Sequence, residues 1–184
     1  MGAAATILIV ENDADVSRAA RIVLAPLAAQ VQTIAGPGEL EAQLACMPFD
    51  VVLLDMNFVS GERSGRQGLD AMDRLLRLDP TLAIVLMTAY GGVTLAVEAL
   101  KRGAADFVLK PWHNDKLLAA VERAVALTRG RREQETLQLD VLERRAIETA
   151  LRRHDGNVSL AAAALGLSRP ALYRRLSKYG LATQ

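Results

Sequence analysis

Five short apolar runs, each followed by a stretch with helical spacing, leave this chain few folds to choose from. Ile7–Val10, Val31–Ile34, Val51–Leu54, Leu82–Met87 and Asp106–Leu109 read as strands. Helical periods follow them over Asp13–Leu27, over Glu39–Met47, through Leu69, Met72, Leu75, Leu76 and Leu78, over Val93–Lys101 and over Asn114–Leu127. Val16, Ala20, Val23, Leu24 and Leu27 share one face of the first, and Asp79-Pro80 stops the third. Val51–Leu54 is apolar throughout, as a strand covered on both faces must be. The alternation predicts an α/β fold, a doubly wound five-stranded parallel sheet with helices on both faces. Such sheets carry their sites beyond the carboxyl ends of the strands. The residues there are Glu11, Asn12 and Asp13, then Asp55, then Thr88, then Lys110, with a polar loop over Asn57–Gly68 beside them.

Hydrophobic residues make up 51% of the chain but aromatics only 4%, so the core must be aliphatic. The single cysteine, Cys46, excludes an intramolecular disulfide and agrees with a reducing compartment. The run Ala3–Val10 has the look of a signal core, but it lacks a basic flank and runs straight into Glu11, Asp13 and Asp15. No apolar stretch approaches the roughly 18 residues of a membrane span. A soluble, cytoplasmic protein without a membrane partner is expected.

Charge divides the chain in two. Residues 1–128 hold 11 basic and 15 acidic side chains, a net of −4, whereas 129–184 hold 11 and 6, a net of +5. A basic tail behind an acidic front suggests polyanion binding at the back. Residues 129–138 are charged and helix-compatible, a linker or a helical extension. Leu139, Leu142, Ala146, Ile147 and Ala150 then mark an amphipathic helix ending near Asp155-Gly156. Two short helices, Val158–Leu165 and Arg169–Tyr179, flank Gly166-Leu167-Ser168. His113 and His154 lack metal-ligand company and receive no role.

Four motifs in order carry a resemblance: Ile7–Asp13, Val51–Asp55, Leu86-Met87-Thr88-Ala89 and Phe107-Val108-Leu109-Lys110-Pro111. Over residues 5 to about 127 the chain resembles the receiver domains of two-component response regulators, and from Met87 to Trp112 it looks most like the NtrC type. The resemblance implies an aspartyl phosphate formed on Asp55 by a sensor histidine kinase. It implies Mg²⁺ on Asp55, on the backbone carbonyl of Asn57 and on an acidic pair at 11 and 12. It gives Lys110 the developing phosphoryl charge, Thr88 a phosphoryl oxygen and Phe107 the part of a rotating switch aromatic. The Lys110-Pro111 bond is a candidate cis peptide. Where the family has two acids, this chain has Glu11 and Asn12, so weaker Mg²⁺ binding is expected, with Asp13 as a possible helper.

Leu139–Leu181 resembles the Fis-type helix-turn-helix, through Gly156-Asn157-Val158, Ala161-Ala162, Leu165-Gly166-Leu167-Ser168 and Leu172–Leu176 with Lys178-Tyr179-Gly180. Asn157 and Ser168 are N-cap types, Gly166 suits a left-handed turn, and Leu165, Leu167, Leu172 and Leu176 would fill the seam. The second helix is expected to read double-stranded DNA through Ser168, Arg169, Tyr173, Arg174, Arg175 and Lys178. The helix from Leu139 has more apolar surface than so small a domain buries, which predicts a homodimer.

The resulting plan is a receiver over 1–128, a linker over 129–138 and the helix-turn-helix over 139–184. NtrC-type regulators carry an AAA+ ATPase between these parts, but no G-x-x-x-x-G-K-[ST] occurs here and the linker cannot hold a domain. The layout resembles instead the RegA/PrrA/ActR type of regulator, without implying its redox role. The expected function is phosphorylation-switched transcription regulation, not an enzyme activity. The alternative is a phosphate sink or interaction module with little DNA binding. A phosphatase using Asp55 is disfavoured because Asp55-Met56-Asn57 offers no second acid as general acid.

Overall fold

The computed structural model of the chain describes residues 4–58, 65–89 and 93–181, with the side chains of 93 and 94 excepted. The loop positions 59–64 and 90–92, part of the expected Asn57–Gly68 loop among them, lie outside the described residues. The chain divides into two compact units, Met1–Arg132 and Glu133–Gln184.

In the first unit the elements run β1 (Ala5–Val10), α1 (Ala14–Leu24), β2 (Ala28–Ile34), a short 3₁₀ turn (Pro37–Glu39), α2 (Leu40–Cys46), β3 (Val51–Asp55), α3 (Arg66–Leu78), β4 (Ala83–Ala89), α4 (Val93–Arg102), β5 (Asp106–Lys110) and the start of α5 (Asn114–Arg153). The strands are all parallel, in the order β2-β1-β3-β4-β5. Side chains alternate between faces along each strand. Leu8, Val10, Val52, Leu54, Ile84 and Leu86 therefore pack with Leu40, Leu69, Met72 and Leu75 on one side. Ile7, Ile9, Val51, Leu53, Val85 and Met87 pack with Ala20, Leu24, Leu117 and Val121 on the other. The chain order reverses between β1 and β3, which opens a crevice beyond their carboxyl ends.

Helix boundaries shift where side chains intervene. Asp13 Oδ1 accepts the backbone N–H groups of Asp15 and Val16 and so starts α1 one residue later than the apolar spacing predicts. Leu27, expected on the helical face, follows the end of α1 and still packs on the core. Of the two alternatives for residues 129–138, a linker or a helical extension, α5 shows the second. The stretch 114–127 and the expected linker 129–138 belong to one helix that continues to Arg153.

The turn of α5 at 128–132 is fastened to the amino-terminal edge of the sheet. Thr128 is wholly buried, and its Oγ1 accepts the Ala83 N–H at 2.8 Å. Arg129 grips Asp50 with Nη2 at 2.9 Å and Nε at 3.2 Å, and Asp50 also accepts the Thr6 N–H. Arg132 Nη2 donates to Asp79 at 2.8 Å and to the Phe49 carbonyl at 2.9 Å. Partial burial pushes the Asp50 carboxyl upward, but the hydrogen bonds from Arg129 and Thr6 and the charges of Arg129 and Arg132 outweigh it, leaving it below the usual range. A depressed carboxylate stabilises the fold above its unfolded value of about 3.9, and that contribution is lost as pH falls through the folded value. Asp50→Asn is thus expected to cost about 1–2 kcal/mol at neutral pH and progressively less below about pH 4. Urea midpoints across pH check this; a deficit that persists undiminished into acid contradicts it.

In the second unit α5 is followed by α6 (Val158–Ala164) and α7 (Arg169–Lys178). Asn157 caps α6 through Oδ1, and Ser168 Oγ caps α7. Gly166 turns between them at φ +66°. Ile147, Ala150, Val158, Ala161, Ala162, Leu172 and Leu176 form the core, with Leu165 and Leu167 half-buried against it. Buried alanines at 161 and 162 keep the side-chain layer thin where the helices meet. No helix among the described residues is long and apolar enough to cross a membrane.

Candidate functional site

Register alone brings the strand ends together. Asp55, the last residue of β3, pairs with Met87, so Thr88 stands one step further along β4, and Ala89 pairs with Lys110 at the end of β5. Glu11 directly follows β1, the neighbour of β3 on its other side.

The side chains of three of these residues meet. Lys110 Nζ donates to Asp55 Oδ1 at 2.8 Å and to Glu11 Oε2 at 2.5 Å. The Lys110–Pro111 peptide is cis. Glu11 Oε1 accepts the Asp13 N–H at 3.1 Å. Only 1% of the Glu11 side chain and 7% of the Asp55 side chain are exposed. Burial raises the Glu11 pKa, outweighing the bonds from Lys110 and Asp13, and the neighbouring Asp55 charge raises it further. Among the described residues no sealed side-chain oxygen lacks a hydrogen bond, and Asp55 is bonded through Oδ1 only. Its Oδ2 makes no side-chain hydrogen bond and is the oxygen not engaged by Lys110.

The other rim residues stand around this triad. Thr88 is buried, and its Oγ1 donates to the Ala89 carbonyl at 3.3 Å rather than to Asp55. Asn12 Nδ2 donates to the Phe58 carbonyl at 2.9 Å. Asn57 Oδ1 accepts the Gly65 N–H at 3.0 Å. Phe107 is partly buried against the α3 side of the core. Asp13 Oδ1, considered as a metal helper, is committed to capping α1.

On α7, Arg169, Tyr173, Arg174 and Lys178 are exposed, and Ser168 is exposed at its start. The Arg169 guanidinium lies 5.7 Å from the Tyr173 ring centroid. Lys178 Nζ pairs with Asp140 Oδ1 at 2.7 Å, and Arg175 Nε with Glu143 Oε1 at 2.5 Å. Reading the charge pattern missed Asp140 and Glu143, although their three-residue spacing puts both on one helical face.

The model for the response regulator receiver domain matches residues 7–122. The chain belongs to this family. The model for the Fis family of bacterial regulatory proteins matches residues 138–179, so only 123–137 separate the two matches and no ATPase domain lies between them. The chain is 32% identical over 132 residues to the nitrogen assimilation regulatory protein NtrX of Azorhizobium caulinodans, covering 72% of this chain and 28% of that protein. It is 36% identical over 124 residues to the tetrathionate response regulatory protein TtrR of Salmonella typhimurium, covering 67% and 58%. Among solved structures, the receiver domain of a response regulator from Bacteroides fragilis superposes at TM-score 0.61 with 37% identity, over 67% of this chain and 98% of that one. NtrX from Brucella abortus in complex with ADP gives TM-score 0.65 and 27% identity, over 73% and 29%. The aligned region thus spans only 28% to 58% of these two curated relatives.

Receiver domains of this family generally bind Mg²⁺ for phosphorylation. The donors at this rim are oxygens, as a hard cation prefers. Among the described residues no set of three His, Cys, Asp or Glu side chains gathers for a metal.

Proposed function

We propose that this chain is a two-component response regulator: a sensor histidine kinase phosphorylates Asp55, and the change is read out by a helix-turn-helix that binds double-stranded DNA to regulate transcription in the cytoplasm. The observation that carries the receiver half is Lys110 bridging Glu11 and Asp55 beside the strand-order reversal, with Asp55 Oδ2 not engaged by Lys110.

Oδ2 attacks phosphorus, the P–N bond of a phosphohistidine breaks, the imidazole leaves and an acyl phosphate forms. Lys110, fixed between two carboxylates, stands against the charge spreading over the phosphoryl oxygens. Glu11, Asn12 through Oδ1, Asp55 and the Asn57 carbonyl are the oxygens that would hold Mg²⁺, which supplies further charge neutralisation when bound. Thr88, now bonded only to its neighbour's carbonyl, is free to turn to a phosphoryl oxygen, and Phe107 follows into the space vacated. Asn12→Asp restores a charge to the metal set and is expected to tighten Mg²⁺ several-fold, measured by titration; unchanged affinity refutes Asn12 as a ligand.

In the second unit the capped α6-turn-α7 supports major-groove binding, with Ser168, Arg169, Tyr173, Arg174 and Lys178 toward DNA. Leu137, Leu139, Val141 and Leu142 of α5, exposed by 58, 61, 49 and 60%, support a homodimer. The test treats the full chain with acetyl phosphate and Mg²⁺, then measures its affinity for duplex DNA against salt. Phosphoryl uptake with salt-dependent DNA binding that changes on treatment supports the reading. Uptake with no DNA binding turns it into a phosphate sink.

A further inference from the structure

The cations of α7 are not equivalent. At about 100° per residue, the buried stripe of Leu172, Leu176 and Tyr179 sets the inner direction. Arg174, Pro170 and Ser177 lie opposite it, and Tyr173 and Lys178 lie on the two flanks. Arg169 and Arg175 lie beside the buried stripe on its two sides, but Arg169, in the first turn, is exposed, whereas Arg175 is half-buried. Its Nε meets Glu143 of α5 at 2.5 Å, and its Nη1 meets the Ala171 carbonyl of its own helix at 3.4 Å. The Tyr179 hydroxyl donates to the same Glu143 and lies 3.1 Å from Asp140 Oδ1. Glu143 therefore gathers Arg175 and the Tyr179 cap, as Asp140 gathers Lys178 and the same Tyr179. The Arg175 and Glu143 side chains are 34% and 36% exposed. Lys178 differs: its side chain is 53% exposed, in a surface pair of the kind a phosphate displaces readily.

We infer that Glu143 is a positioning residue for DNA binding, withdrawing Arg175 from the nucleic acid and setting the roll of α7 so that Arg169, Tyr173, Arg174 and Lys178 face it. This rests on the DNA-binding reading above. A truncated acid at 143 leaves Arg175 without its carboxylate partner and Tyr179 with Asp140 alone, so the polar ties that fix the rotation of α7 shrink to those of Asp140 with Lys178 and Tyr179. Arg175 contributes to affinity only through that geometry.

Binding of the full chain to a random-sequence duplex, measured across salt, separates the roles. Each phosphate contact contributes about 0.9 to the slope of log affinity against log salt. Arg174→Ala is expected to flatten the slope by about that amount. Arg175→Ala is expected to weaken binding at every salt with the slope unchanged. The decisive pair is Arg175→Glu against the exchange Glu143→Arg with Arg175→Glu. The single variant places two acids together and loses binding on the order of ten-fold or more, while the exchange restores the pair with its polarity reversed and recovers affinity to within about three-fold of the parent. Circular dichroism melts confirm that each variant is folded. A flattened slope for Arg175→Ala, or a folded exchange variant that binds no better than Arg175→Glu, places Arg175 on the DNA and overturns the inference. A parent chain that binds no duplex removes the DNA-binding reading and this inference with it.

Discussion

Asp55→Asn is expected to abolish phosphoryl uptake from acetyl phosphate and any response to beryllofluoride, without loss of stability. The amide keeps an oxygen for Lys110, whose Nζ lies 2.8 Å from Oδ1, and Lys110 retains its bond to Glu11. What disappears is the anionic Oδ2, which makes no side-chain hydrogen bond and is the proposed nucleophile. Removing the Asp55 charge also lifts one of the influences that raise the Glu11 pKa, so the folded state loses little. Intact-mass measurement after treatment should show a phosphoryl adduct on the parent and none on the variant, with coincident thermal melts. An adduct of equal yield on Asp55→Asn moves the acceptor elsewhere.

Gly68→Ala is expected to damage the same site from beneath. Gly68 lies in the first turn of α3, where a Cβ would stand 2.6 Å from Met56 Cα and 3.0 Å from both the Asp55 and Met56 carbonyl oxygens. Those are backbone atoms held by β4: Asp55 is in register with Met87, and the Met56 N–H donates to the Met87 carbonyl. They cannot swing aside as a side chain can, so α3 must move outward. Alanine gains about 1 kcal/mol over glycine in a helix interior, and overpacking against backbone costs about 3 kcal/mol, at the upper end of its usual range. Overpacking wins, leaving a net loss of about 2 kcal/mol and a fall in Tm of about 6 °C. Because the displaced backbone carries Asp55, the rate of phosphoryl uptake should fall with it. An unchanged melting temperature shows that α3 does not approach the end of β3 this closely.

Much of the site was legible from residues taken in order. Apolar runs separated by helical periods give strand ends, and the carboxyl-end rule then collects Glu11, Asp55 and Lys110 without any coordinates. The helix-turn-helix was legible for a similarly local reason: Asn157, Gly166 and Ser168 act on backbone groups within three residues of themselves. At Asp13 an acid next to a site and an acid at a helix start share one sequence position, and the structure shows its Oδ1 capping the helix.

By itself, then, the amino-acid order determined the sheet, the rim residues and the two-unit plan, since each follows from periodicity or from a cap acting over a few residues. The tertiary structure alone decided three things: that α5 continues through 129–138 with Arg129 and Arg132 gripping Asp50 and Asp79, that α3 lies on β3 with no room for a Cβ at Gly68, and that Arg175 turns to Glu143. A long cationic side chain reaches in many directions, and a glycine fits many backbones. Which neighbour each one meets depends on segments distant in the chain, and only packing brings those within range.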